Sequence, residues 1–407
     1  MVHICDCLPE DIPQVLAELP ETLDETYERT LRGINNAKWE FAHRMFQFVS
    51  VASRPLHVKD LANLLAFNFK ARSTPKLRKR RRLEDPVDVV LSICSTLLVI
   101  VNDKGSPVVQ FSHFSVKEFL LSTRLAEATD IISRRYHISM TPAHTLAAQA
   151  CLGILLHLNE DITCKSLEDF PLAIYAARHW VDHARFEDVS EKVEDGMKEL
   201  FDPSKSHLAI CIRIYDPSYS TWNQPTRNET PLQLPQTSLH YAAAWGLHPV
   251  VEFLVIEYSQ DVCSGDSPDN MTPLHVASRN GHVKAACKLI EFGANLTAQD
   301  KDGNTPLHLV SKEGEVDVAR MLIERGAVLT AQDNYGNTPL HLASDSPFWL
   351  RRPQISAEVS QMLLVHGADV NARNEDGFTP FALASEHGLT EIMDILAQHG
   401  ADSRGSV

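Results

Sequence analysis

Four histidines recur at nearly equal steps in the second half of the chain. An imidazole can ligate a metal, move a proton or lock a buried hydrogen bond. His240, His275, His308 and His341 each stand three residues after a threonine. Ligating one ion would require the four rings to converge, but their period places them in successive layers about 10 Å apart, the usual spacing of packed helices. Each imidazole is therefore expected to tie one layer to the next through hydrogen bonds. A second pair, His179-x-x-x-His183, puts two rings on one helical face at a spacing that suits zinc. No glutamate follows His179 and no third ligand accompanies the pair, so a packed or solvated helix is the better reading. Other chemistry is missing at the level of motif. There is no G-x-S-x-G elbow, no C-x-x-C, no G-x-x-x-x-G-K-[ST] phosphate loop and no paired carboxylates in an apolar setting. Catalytic, cofactor-binding and metal-binding residues are expected to be none, and a small-molecule ligand is not expected.

The elements that position these histidines follow from the motif around them. Thr-Pro-Leu-His stands at 272–275, 305–308 and 338–341, with degraded copies at 237–240 (Thr-Ser-Leu-His) and 379–382 (Thr-Pro-Phe-Ala). From threonine to threonine the steps are 35, 33, 33 and 41 residues. This pattern resembles ankyrin repeats. In the third copy Thr305 is expected to cap a helix whose first turn tolerates Pro306, since the amide hydrogen missing there has no intrahelical partner. Leu307, Leu309 and Val310 line that helix, Gly314 allows the reversal, and Val316, Val318, Ala319, Leu322 and Ile323 line the next. Gly326 ends it, and residues 331–337 form a tight turn. The resemblance implies a mainly α fold: an α-solenoid of about five ankyrin repeats with worn, capping first and last units. It also implies an extended surface that binds protein partners rather than a catalytic pocket.

The step of 41 carries eight extra residues, and the glycine expected after the first helix is absent. Residues 346–353 read Ser-Pro-Phe-Trp-Leu-Arg-Arg-Pro. Solenoid insertions emerge as loops on one face, and Trp and Arg dominate binding hot spots. Phe348, Trp349, Arg351 and Arg352 are thus partner-binding candidates, together with Tyr335, Arg279 and Lys312. The alternative is that Phe348 and Trp349 fold back to seal the neighbouring helix pair.

Residues 231–407 hold 11 Lys+Arg against 22 Asp+Glu, while residues 1–230 hold 27 against 31. So acidic an array repels phosphate backbones and favours a protein partner with basic or neutral contact residues over nucleic acid. The eight cysteines form no framework, which suits a reducing compartment. Neither a signal peptide nor a stretch long enough for a bilayer is evident. An intracellular protein, cytoplasmic or nuclear and with no membrane association, is expected.

Ahead of the repeats no period appears. Leu23, Tyr27, Leu31 and Ile34 mark one helix; Phe41, Met45, Phe46 and Val49 a second; Val58, Leu61, Leu64 and Leu65 a third. Residues 95–101 and 108–111 read as a hairpin around a turn at 102–105, followed by a helix over 114–121. Three helices, a hairpin and a closing helix predict a winged-helix arrangement. Further helices are expected over 143–158, 172–184 and 189–200. The expected division is a winged-helix-like domain at 9–125, a helical linker domain at 126–228 and the ankyrin domain at 229–407. Residues 19–27 (Leu-Pro-Glu-Thr-Leu-Asp-Glu-Thr-Tyr), 92–98, 113–121 and 176–184 resemble the region that follows the NTPase core in fungal NACHT–ankyrin, NLR-like switch proteins. That resemblance implies sensing by repeats and transduction by a nucleotide domain. Without a phosphate loop the switching itself does not carry over, and the chain is expected to be a headless relative or a truncated product. Lys76, Arg78, Lys79, Arg80, Arg81 and Arg82 form a strongly basic run, which reads as a nuclear-import signal, as a phosphate-contacting arm or as a solvated loop. A binding scaffold, a nuclear co-regulator and the sensing half of a switch remain as functional alternatives.

Overall fold

A computed structural model describes residues 22–64, 66–69, 75–77, 88, 90–92, 96–103, 105–162, 167–215, 234, 236–345 and 353–402. The chain divides into two compact units, Met1–Gly196 with Ile214–Asn228, and Met197–Arg213 with Glu229–Val407.

The first unit begins with α1 (Leu23–Gly33), where the Thr22 hydroxyl accepts the Glu25 amide at 3.2 Å and Asp24 and Glu25 occupy the first turn. Carboxylates there meet the positive end of the helix dipole. In α2 (Trp39–Val51), Ala42, Met45, Phe46 and Phe48 are buried. β1 (Leu56–His57) leads into α3 (Val58–Leu64), and β2 (Phe67–Asn68) pairs with β3 (Lys76–Leu77). The hairpin of β4 (Leu98–Asp103) and β5 (Ser106–Phe111) turns at Gly105, whose φ of 86° suits a residue without a Cβ. Its strands pair from Leu98↔Phe111 to Asp103↔Ser106, and β1 adds to β5 to give a sheet of order β1-β5-β4. α4 (Phe114–Leu121) closes the arrangement, followed by the single turns α5 (Thr123–Ala126) and α6 (Ile131–Arg134). Helices, a wing-like hairpin and a closing helix therefore occur in the expected order. α7 (Met140–Leu155) and α8 (Leu172–Ala184) pack on each other, and both bury small residues, Ala147 and Ala150 on one and Ala173, Ala176 and Ala177 on the other, while Gly153 of α7 faces Phe67 and the Pro75 carbonyl.

The second unit starts within α9 (Glu194–Phe201) and continues through α10 (His207–Ile214). Five helix pairs follow: α11 (Ser238–Ala244) with α12 (His248–Tyr258), α13 (Pro273–Arg279) with α14 (Val283–Glu291), and α15 (Pro306–Glu313) with α16 (Val316–Glu324). The last two are α17 (Pro339–Ser344) with α18 (Pro353–Val365), and α19 (Pro380–Glu386) with α20 (Thr390–Gln398). First helices stack on first helices and second on second, which buries the apolar stripes that one pair alone leaves open. The segment 197–213, grouped by its sequence with the preceding helical region, lies against the first pair. Phe201 meets Trp245 edge-on at 5.7 Å, and the Tyr258 hydroxyl donates to Asp202 at 2.7 Å.

Gly314 takes φ 77° at the expected reversal and Gly326 φ 87° at the following helix end. Ser259 occupies the helix-end position held in later pairs by glycine, and it still adopts φ 49°. A non-glycine residue in that region is strained. Ser259→Gly is expected to raise stability by about 0.5–1 kcal/mol in urea unfolding; a loss would show that the serine side chain supports the turn.

Candidate functional site

The threonine–histidine ladder repeats one geometry. In the second pair the His275 Nε2–H donates to the Asn304 carbonyl at 2.9 Å. A carbonyl only accepts, so Nε2 carries the proton and Nδ1 is the acceptor. The Thr272 amide donates to Nδ1 at 3.1 Å, and the Thr272 hydroxyl lies 2.8 Å from it. The same bonds recur at Thr305, His308 and the Asn337 carbonyl, and at Thr338, His341 and the Phe378 carbonyl. His240 reaches the Met271 carbonyl at 2.8 Å. Every ring is fully buried. Burial pushes all four below the ordinary imidazole value, partly opposed by the carbonyls they donate to, and so holds them neutral. The histidines thus cap their own helix and fasten it to the next turn.

The turns are fastened in their own right. Asp300 Oδ1 accepts the amides of Asp302 and Asn304, and Asp333 Oδ1 those of Tyr335 and Asn337, at 2.8–2.9 Å. Turn joins turn through the amides of Lys301, Asn334 and Glu375, which donate to the carbonyls of Asp269, Asp302 and Tyr335. The result is a rigid row of tips that presents Lys301, Asp302, Asn334, Tyr335, Glu375 and Asp376 to solvent.

Of the partner-binding candidates, Tyr335 stands on such a tip with 61% of its surface exposed. Arg279 and Lys312 are exposed at equivalent positions, seven residues after Thr272 and Thr305, at the ends of α13 and α15. The same register brings Asp345 and Glu386 to the following two helices, so this row runs from basic to acidic. Counting from the motif threonine would have shown that change of sign. Phe348, Trp349, Arg351 and Arg352 lie outside the described residues, as do Arg78, Lys79, Arg80, Arg81 and Arg82. Lys76 belongs to β3, opposite Asn68.

In the first unit the zinc-like spacing resolves into separate partners. His179 Nδ1 lies 3.1 Å from an Asp182 oxygen. His183 is fully buried, with Nε2 2.8 Å from the Tyr175 hydroxyl and Nδ1 3.1 Å from Nδ1 of His144. Desolvation, helped by His144, pushes His183 down to about 4. Among the described residues no group of three or more histidine, cysteine, aspartate or glutamate side chains converges to hold a metal. No helix among them is long and apolar enough to cross a membrane.

The architecture agrees with the family descriptions that match the chain. Residues 27–131 match the "GPI inositol-deacylase, winged helix domain". Residues 223–300 match "Ankyrin repeats (3 copies)", 289–343 "Ankyrin repeats (many copies)" and 335–375 "Ankyrin repeat". Ankyrin repeats and an N-terminal winged-helix domain are thus found in this chain. It is similar to the Azaphilone pigments biosynthesis cluster protein L of Monascus ruber, with 29% identity over 296 residues that cover 69% of this chain and 61% of that protein. The matched region therefore spans less than two thirds of that relative. The repeats support a role in protein interaction.

Proposed function

We propose that the protein is a regulatory adaptor whose ankyrin array grips a protein partner, with the winged-helix domain docking or relaying the event. The observation that carries this reading is the row of turn tips, held rigid by the buried histidine ladder and joined tip to tip by backbone hydrogen bonds. Preorganised tips lose little entropy on binding. Their acidic surround suits a partner with basic contact residues. The relative's place in a pigment biosynthesis cluster supports a setting in which this chain serves such a cluster by binding. The NLR-like resemblance supports a sensing role within it.

The partner is obtained by affinity capture on the full chain and identified by mass spectrometry. Tyr335→Ala, Arg279→Ala and the pair Trp349→Ala with Arg351→Ala are then compared with the parent. Each is expected to weaken capture, the aromatic changes by about 2 kcal/mol where the ring is a hot spot, with the unfolding midpoint unchanged. Capture that survives all three sets, or a loss of capture accompanied by unfolding, would remove these residues from the interface.

A further inference from the structure

The array has a second face, formed by the outer helices, and it is not uniform. α18 has 13 residues where α14, α16 and α20 have nine. The four extra residues add about 6 Å of helix, directly after the eight-residue insertion. The outward stripe of this longer helix lies at the bottom of an open cleft of about 630 Å³. Val316 and Arg320 of α16 form one wall, Glu391 and Ile395 of α20 the other, and Met362 and Val365 lie in the floor with Glu358 beside them. Each wall pair is four residues apart, so its members sit one above the other along the cleft.

Chemistry decides what fits. Val365 is 65% exposed, a large apolar side chain with no cover, and Val316 and Ile395 flank it with partly exposed apolar surface. Glu358 and Glu391 are exposed, and neither is paired with a cation among the described residues. The walls differ in sign, Arg320 on one side and Glu391 on the other. A second copy of an array carrying 11 basic against 22 acidic residues would be repelled. We infer that this cleft receives an amphipathic helix of a partner protein, with apolar residues at i and i+4 against Val365 and Ile395. Lysine or arginine on that helix meets Glu358 and Glu391, and a single carboxylate faces Arg320. The opposed walls set the direction in which the helix lies, the helix-in-groove mode applied to the outer face of a solenoid. This surface is separate from the turn tips and acts alongside them.

The test is fluorescence anisotropy of the full chain with a labelled amphipathic peptide of about 18 residues, long enough for about five helical turns. It carries leucines at i, i+4 and i+7, flanking lysines and one glutamate. Saturable binding is expected. Val365→Asp and the pair Glu358→Lys with Glu391→Lys are each expected to weaken it by about tenfold or more, with unchanged circular dichroism and melting. The charge-reversed peptide should regain affinity for the double lysine variant, a rescue that a merely structural role would not produce. Tyr335→Ala should leave the affinity unchanged, so failure here and failure of the turn-tip interface are distinguishable. Absence of saturable binding to the parent chain, or equal binding to Val365→Asp, overturns the proposal. So does a concentration-dependent dimer of the peptide-free chain that Val365→Asp abolishes, which would make a second copy the occupant.

Discussion

Replacing His308 with alanine is expected to destabilise the array by about 3 kcal/mol, as is the same change at His275 or His341, whose bonds are the same. The ring is fully buried, and it serves three groups at once. The Asn337 carbonyl loses its donor at 3.0 Å, and the Thr305 amide and hydroxyl lose their acceptor at 3.1 and 2.8 Å. Each buried group left without a partner costs about 1–3 kcal/mol. Water entering the vacated volume recovers part of that, which brings the total to about 3 kcal/mol rather than the full sum. Because repeats are coupled to their neighbours, the loss should lower the unfolding midpoint of the whole array and not fray one pair alone. Thr305→Ser keeps the hydroxyl and should change little. The check is urea unfolding of the full chain followed by circular dichroism. A loss below about 1 kcal/mol would mean that the ladder is a by-product of the stacking and not a cause of it.

Local pattern made much of this legible. Thr305 and Pro306 announce the start of α15, and Gly314 and Gly326 fall at its end and at the end of α16 because the chain there requires positive φ. α4 and α8 run from Phe114 to Leu121 and from Leu172 to Ala184, the residues their patterns indicate. What escaped was non-local. β1 is two residues long, too short for an alternation to register, and its partners Val108 and Val109 lie some fifty residues further on. The residues around His179 and His183 favoured a packed or solvated helix over a shared metal, but not which side chains pack on it. His183 meets Tyr175 on its own helix and His144, 39 residues away on another, and helical spacing cannot report that second contact. The position of 197–213 against the first helix pair depends on Phe201 and Asp202 finding Trp245 and Tyr258, again a tertiary match. The insertion after Ser344 could be counted, but the cleft beside α18 depends on where that helix settles between α16 and α20.

Lowering the pH from about 7.5 to about 5 is expected to weaken the array steeply, and the same buried imidazoles are the cause. Burial holds His240, His275, His308 and His341 below the ordinary value of 6.5, so in this window the unfolded chain binds more protons than the folded one. Stability then rises with pH between the lowered folded values and 6.5 and levels off above it, where both states are neutral. Each imidazole contributes a slope of up to about 1.4 kcal/mol per pH unit. Four acting together make this the larger of the two effects under acid conditions. Protonation also has a local consequence: at His275, His308 and His341 a proton on Nδ1 would face the amide hydrogen of the capping threonine, so the cap and the bridge to the next turn are lost together. In the first unit His183, held at about 4, adds a dependence of the same sign. Urea midpoints measured at several pH values between 5 and 8 test this, with His275→Gln as the control expected to flatten the slope by about one imidazole's share. A midpoint that stays constant down to pH 5.5 would show that the rings are not neutral and buried as the ladder requires.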